Sequence, residues 1–358
     1  MGWHTNRKII VFESDDWGSI RMPSKSVYEN ALSMGYRVDL NVYEKYDSLL
    51  SEDDLKSLFE VLNEFNDQNE KKPIVTANCV VANPNFEKIK ESNFTQYHFE
   101  SILETFKKYP NHNNSFNLWK EGIEKGFLQF QYHAREHLNV SLFMDSLHSK
   151  DTDVLWGFEN GMPGMIKKSK NKKMPNPYVE ATRFKNLSDM QSKMDIYFEG
   201  LNLFENLFGF KSKTIIPTNF LWNYDYDIEL IKNGVIGLQG SKKLINPLNT
   251  KLLKNRIIAK RNKLQFVDLV RNVDFELSQS INKKETFSNC LKQINSAFMM
   301  RKPAIISIHR INFSGGIFIE NRTENLNILY DLIKIITRKW PDVEFLSSDQ
   351  LTEVIIKK

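Results

Sequence analysis

Three short stretches of this 358-residue chain carry the residue types of metal-assisted hydrolysis, and each follows an apolar run. In the first, Ile9-Ile10-Val11-Phe12-Glu13-Ser14-Asp15-Asp16-Trp17-Gly18, a hydrophobic strand pattern runs into two adjacent carboxylates. Asp and Gly are turn formers, so a polar turn ending a strand would also account for it. Successive residues of extended chain point opposite ways, however, so Asp15 and Asp16 can serve different partners. In the second, residues 127–132 alternate as a strand does and are followed by His133-Ala134-Arg135-Glu136-His137. A helical turn starting there would set both imidazoles on one side. In the third, Ala304-Ile305-Ile306-Ser307-Ile308-His309, another apolar run ends in a histidine. The chain has only seven histidines, and random placement would not put three of them at or just past strand ends.

Two imidazoles and a carboxylate suit a divalent metal site with open positions, as hydrolytic centres require. Zn²⁺ is the default ion, and the donor set also tolerates Co²⁺, Ni²⁺ or Fe²⁺. One Asp and one His remain for proton transfer, completing the parts needed for acyl hydrolysis. Thiolate ligation is not expected: Cys79 and Cys290 sit in apolar contexts without a CxxC and read as buried free thiols.

The elements that must hold these residues follow from the alternation of patterns. Strand-like runs fall at 8–13, 73–81, 127–132, 214–217, 235–238, 264–270, 304–309 and 343–346. Between them lie helical patterns at 52–69, 83–90, 94–109, 118–125, 187–208, 228–233, 287–300 and 323–339. Strand then helix, repeated, predicts parallel strands joined by crossovers, hence an α/β protein. About seven or eight such strands at this length suit a (β/α) barrel, whose catalytic residues stand at strand C-termini. No Gly-rich dinucleotide turn follows the first strand. We expect a single domain over 1–358, with loop insertions near 138–186 and 239–263 covering the active-site face.

The charge of +5 is mild and local. Lys167, Lys168, Lys170, Lys172 and Lys173 form one basic cluster, and a second runs from Lys242 to Lys263. Such runs are usually solvated loops, although they also suit an anionic substrate such as a sugar nucleotide or acidic glycan. No zinc-finger spacing or aromatic–basic interleaving points to nucleic acid. No window approaches a membrane span, and the N-terminus lacks a signal-peptide pattern, so a cytoplasmic protein is expected. Nothing in the sequence sets the oligomeric state.

Taken together, the three stretches resemble the motifs of the polysaccharide deacetylase family (carbohydrate esterase family 4), in a divergent branch associated with bacterial surface glycans. The first motif of that family is an apolar strand ending in Asp-Asp. Its second is His-[Ser/Thr]-x-x-His, matched by His133 and His137 in spacing but with Ala134 at the hydroxyl position, and its last is a strand ending in His. The resemblance implies a distorted (β/α) barrel of about seven parallel strands and hydrolysis of an N- or O-acetyl group on a sugar or glycan precursor. It makes Asp15 the base, Asp16, His133 and His137 the metal ligands, and His309 the acid. The third family motif, Arg-x-Pro-[Tyr/Phe], has no clean copy. Ile215-Ile216-Pro217-Thr218-Asn219-Phe220 lacks the arginine that would orient the base, leaving Arg271 or Arg310 as replacements. Trp17, Asn219, Trp222 and Asn312 are candidate sugar contacts, with Arg271 counted beside them.

Three rival readings use the same residues. His133-x-x-Glu136-His137 fits an inverted zinc-protease string with Glu136 as base, but that reading leaves Asp15, Asp16 and His309 unused. A glycan-binding barrel without turnover would also tolerate the missing arginine. Glycoside hydrolysis with Asp15 as nucleophile needs a second carboxylic acid that the sequence does not point to.

Overall fold

A computed structural model describes residues 2–165 and 176–357. The lysine cluster at 167–173 lies outside the described residues. The chain builds a curled, mostly parallel sheet that forms a half-barrel. Its strands are β1 (Lys8–Trp17), β2 (Val75–Val80), β3 (Leu128–Ala134), β4 (Thr214–Ile215), β5 (Gly237–Leu238), β6 (Val267–Asp268), β7 (Val273–Asp274), β8 (Ala304–His309) and β9 (Val343–Phe345). They run in the order β7-β8-β1-β2-β3-β4-β5-β6, with each neighbouring pair parallel. Lys260–Arg261 adds an antiparallel edge to β6, and β9 pairs with the first residues of β1.

β1 is the centre of this arrangement. Its β-branched and aromatic run is buried on both faces, as a parallel strand between covered layers should be. Ile10 and Phe12 join the large core beneath the helices Glu52–Asn63, Leu187–Phe208 and Ile319–Lys339. Ile9 and Val11 face the opposite way, into a smaller cluster with Ile305, Val267 and the helix Ser348–Ile356. Alternation then carries Glu13 and Asp15 to that same side. There they meet a polar layer of buried Thr76, Asn78, Thr214 and Gln239. Asn78 Nδ2 donates to Asp15 Oδ1 at 2.8 Å, and Gln239 Nε2 donates to Asn78 Oδ1 at 2.9 Å.

All eight strand-like runs contain a strand, and the helix expected at 187–208 has those bounds. Asn186 caps its first turn and Gly209, at φ 76°, its last. Elsewhere the boundaries move. The helical patterns at 83–90 and 94–109 shorten to Phe86–Glu91 and Ile102–Lys108, because Ala82–Pro84 and Phe99–Ser101 pair as antiparallel strands ahead of them. Residues 138–186, expected as a loop insertion, include the helices Val140–His148 and Thr152–Glu159. Among the described residues, no helix is long and apolar enough to cross a membrane. Both cysteines are free and buried.

Candidate metal and acid–base site

Asp15 ends the regular part of β1, directly opposite His309 of β8 in register. Continued alternation would turn Asp16 to the far face with Ser14. Instead, the β1–β2 pairing shifts register between Ser14 and Trp17, and Asp16 adopts a left-handed backbone at φ 72°. That conformation costs a non-glycine residue of order 1–3 kcal/mol. Here it brings both carboxylates to one cavity of about 690 Å³, which His133, His137, Glu276 and His309 also line.

His133 is the penultimate residue of β3, and its Nδ1 lies 2.8 Å from the carbonyl oxygen of Ile216. An acceptor there places the N–H on Nδ1 and leaves the Nε2 lone pair free. Among the described residues this buried Nε2 has no hydrogen-bond partner, and it lies 3.4 Å from Asp16 Oδ1. His137 brings its own Nε2 to 3.1 Å from the same oxygen. No helical turn joins the two histidines: the strand ends at Ala134 and a bend returns His137. One ligand atom from each of Asp16, His133 and His137 can be chosen so that all lie within 4.8 Å of one another. Burial, with Arg21 nearby, pushes the His137 imidazole down to about 4, so it is neutral at pH 7. Burial would raise the Asp16 carboxyl, but Arg21 and the two histidines hold it well below the usual carboxylate range. An ionised carboxylate and two imidazoles, one of them with an Nε2 unpartnered among the described residues, fit a divalent cation.

Two supported side chains stand beside these donors. Arg271 donates to both oxygens of Asp15, at 2.6 and 2.7 Å, and through Nε to Glu13 at 2.8 Å. Burial opposes ionisation of Asp15, yet Arg271 and then His309 hold its carboxyl below the usual range. Across from it, His309 Nε2 lies 3.5 Å from Asp15 Oδ2, and His309 Nδ1 lies 2.6 Å from Glu276 Oε1. Burial alone would lower the imidazole pKa, but Glu276 outweighs it and raises the group to about 9. The cavity therefore holds a carboxylate kept charged and an imidazolium kept protonated, side by side.

Of the residues singled out from sequence, Asp15, Asp16, His133, His137, His309 and Asn219 line the cavity. Arg271 reaches the site from behind, as a partner of Asp15 rather than as part of the cavity wall. Arg310 does not share this role: it is fully buried and donates to Asp47 at 2.9 and 3.3 Å. Three proposed sugar contacts are elsewhere. Trp17 is fully buried, with Phe130 edge-on at 5.8 Å and its Nε1 donating to Ser14. Trp222 is equally buried and donates to Asp227. Asn312 lies beneath the cavity, its amide donating to Glu276 at 3.0 Å. Glu136 is also buried away from the cavity, accepting from Arg135 and Tyr97, which deprives the protease reading of its base.

Glu276 and Arg21 were not foreseen from sequence. Val273-Asp274-Phe275-Glu276 alternates apolar and polar, and a strand reading there would have flagged Glu276 as a strand-end carboxylate. Arg21 carries no such signal.

The sequence matches no family model and no curated protein. Its fold is shared with solved structures. A protein from Parabacteroides distasonis described as a glycoside hydrolase/deacetylase aligns over 99% of this chain and 72% of its own, at a TM-score of 0.53 and 8% identity. Puue allantoinase aligns over 98% and 91%, at 0.50 and 8%. A Mycobacterium smegmatis protein described as a polysaccharide deacetylase aligns over 99% and 92%, at 0.48 and 10%. For the first two of these the likeness is one of fold: the distorted barrel expected from the sequence.

Proposed function

We propose that this chain is a divalent-metal-dependent hydrolase that removes an N- or O-linked acetyl group from a sugar or polysaccharide precursor. The observation that carries the reading is the convergence on one cavity of the Asp16/His133/His137 donors with a carboxylate, Asp15, and a protonated imidazole, His309, 3.5 Å apart. Asp16, His133 and His137 would hold the ion, with Zn²⁺ the best match to the donor set. Bound there, it would supply Lewis acidity that polarises the acetyl carbonyl and acidifies the attacking water.

The remaining steps belong to this chain's own residues. Asp15, kept ionised and aimed by Arg271, takes the proton from the water. The same pairing makes Asp15 a weak base, so the reaction depends on acidification of that water. His309, held protonated by Glu276, gives its Nε2 proton to the departing amine or alkoxide. Carbohydrate as substrate class follows from the motif resemblance and from a fold-sharing protein described as a glycoside hydrolase/deacetylase. Asn41, Asn219 and Gln279 on the cavity wall suit sugar hydroxyls. We also read residues 1–358 as one catalytic domain, with the 138–186 segment helping to wall the cavity through Met162, Pro163 and Gly164.

Elemental analysis of the purified wild type and of a His133→Ala/His137→Ala double variant tests the metal, and acetate release from a panel of acetylated sugars tests the reaction. A near-stoichiometric ion in the wild type only, together with acetate release, is expected. No ion in either protein after incubation with Zn²⁺ or Co²⁺ would remove the basis of the proposal. An ion without any acetate release would move the reading to a glycan-binding barrel.

A further inference from the structure

We infer that Arg21 is an anion anchor and that the sugar entering this cavity carries a carboxylate or phosphate close to the acetyl group. This inference names the substrate class within the deacetylase reading and rests on it. Arg21 lies just past the end of β1, where the Ile20 N–H donates to Asn83 Oδ1 at 3.1 Å and fixes the turn. Its side chain is 13% exposed and lines the cavity. A guanidinium has five N–H donors and does not lose its charge in proteins. Among the described residues, its buried Nε has no hydrogen-bond partner.

The nearest carboxylates pair with it only at long range and are engaged elsewhere as well. Asp16 Oδ2 is 3.5 Å from Nη2, and Asp47 Oδ2 is 3.7 Å from Nε. Asp47 already accepts from Arg310, while the other oxygen of Asp16 faces the two histidines. Glu44 also lines the cavity, but burial pushes its carboxyl up to about 7, so at neutral pH it is no permanent counter-ion. The Tyr43 ring, 5.8 Å from the guanidinium carbon, flanks the group on another side.

A nearly buried guanidinium whose Nε has no hydrogen-bond partner among the described residues, and whose ion pairs are long, has room for a ligand that supplies oxygens to its fork. Carboxylate and phosphate do so with two parallel bonds and with charge, whereas a sugar hydroxyl offers neither. No other lysine or arginine lines the cavity among the described residues. Because Arg21 approaches the Asp16 oxygen turned away from the histidines, the anion would sit beside the metal donors, on the same ring as the acetyl group or the next one.

Calorimetric titration of the metal-loaded protein tests this with three probes: glucuronate, N-acetylglucosamine 1-phosphate and neutral N-acetylglucosamine. The wild type is expected to bind one of the anionic probes about 10–100-fold more tightly than the neutral one. The probe that is preferred separates a uronic acid from a sugar phosphate. Arg21→Gln should abolish the preference and Arg21→Lys should weaken it by removing the fork. If Arg21→Gln fails to fold or load metal, Arg21→Lys decides the matter, and a preference unchanged in it overturns the inference. So does equal binding of all three probes by the wild type, or a preference that survives in folded Arg21→Gln, since the metal would then be the anion's partner. Binding of the anionic probes without acetate release from any acetylated sugar would sink the deacetylase reading while leaving the anchor standing. Acetate release without anion preference would do the reverse.

Discussion

Arg271 and Asp15 form a two-pronged ion pair across the sheet, with both carboxylate oxygens within 2.7 Å of guanidinium nitrogens. Arg271 follows β6 and precedes β7, far from the segment after β4 where the family motif would place the arginine that orients the base. The segment after β4 contributes Pro217, Asn219 and Phe220 to the cavity wall instead. Under the proposed function, the orienting role falls to Arg271, at another strand end of the same half-barrel.

If Arg271 positions the base, Arg271→Met should retain metal and lose about 10–100-fold in kcat, as outer partners of catalytic groups typically do. Arg271→Lys should recover little, because one ammonium cannot span two carboxylate oxygens and Glu13 together. Rates and metal content measured side by side check this. Loss of metal in Arg271→Met would show that the arginine instead supports the ligand set.

Asp15 and Asp16 are adjacent, so conservative variants can tell their roles apart. Asp15→Asn should keep the ion and lower kcat by about 10²–10⁴-fold, the usual contribution of a positioned base. His133→Ala should lose both ion and rate. Metal loss in Asp15→Asn as well would overturn this division of labour.

The Glu276–His309 pair sets a pH limit. His309 acts as an acid only while protonated, so kcat/KM should fall as pH rises through about 9. In Glu276→Gln the imidazole should return towards its ordinary value, about 6.5. The fall then moves to lower pH, and the variant should lose far more at pH 8 than at pH 6. Stability should follow the same sign. Because the folded pKa is raised, the pair contributes fully below about pH 6.5 and is lost as pH rises through 9. An alkaline limb unmoved in Glu276→Gln would assign it to another group.

Much of this was legible in the sequence because the strand ends announce themselves. Continuous apolar runs ending in Asp15-Asp16 and His309, and an alternating run ending in His133, record both the strand and the chemistry at its C-terminus. Glu276 was hidden because its alternation, Val273-Asp274-Phe275-Glu276, spans only four residues and β7 within it only two, too short to stand out from loop sequence. Direction was hidden as well. Nothing in Asp15-Asp16-Trp17 reveals the left-handed residue that turns Asp16 into the cavity and sends Trp17 into the core. An aromatic next to Asp16 reads the same whether it stacks on sugar or meets Phe130 edge-on.

Trp17 consequently belongs to stability. Its indole packs among Trp119, Phe130 and Phe313 with no exposed surface. Trp17→Ala should destabilise the fold by about 3–5 kcal/mol in urea denaturation, as large core truncations do. Trp17→Phe, which keeps most of the volume but orphans Ser14, should cost less. Unchanged stability with a raised KM would instead return Trp17 to the sugar site.

Glu136 gives the sharpest separation from protease chemistry. It is buried, with Arg135 Nε within 2.9 Å of both its oxygens and the Tyr97 hydroxyl at 2.9 Å. As the base of a His-x-x-Glu-His protease, its replacement would remove about 10²–10⁴-fold in rate. As a structural partner of Arg135, it should behave differently on change to glutamine. The amide still accepts from Tyr97 but no longer neutralises Arg135, so Glu136→Gln should lose about 1–3 kcal/mol of stability. Metal content and acetate release at a permissive temperature should stay within an order of magnitude of wild type. Arg135 also donates to Glu199, which limits the damage. A stable, metal-loaded Glu136→Gln protein with no turnover would contradict this assignment and put Glu136 back among the reacting groups.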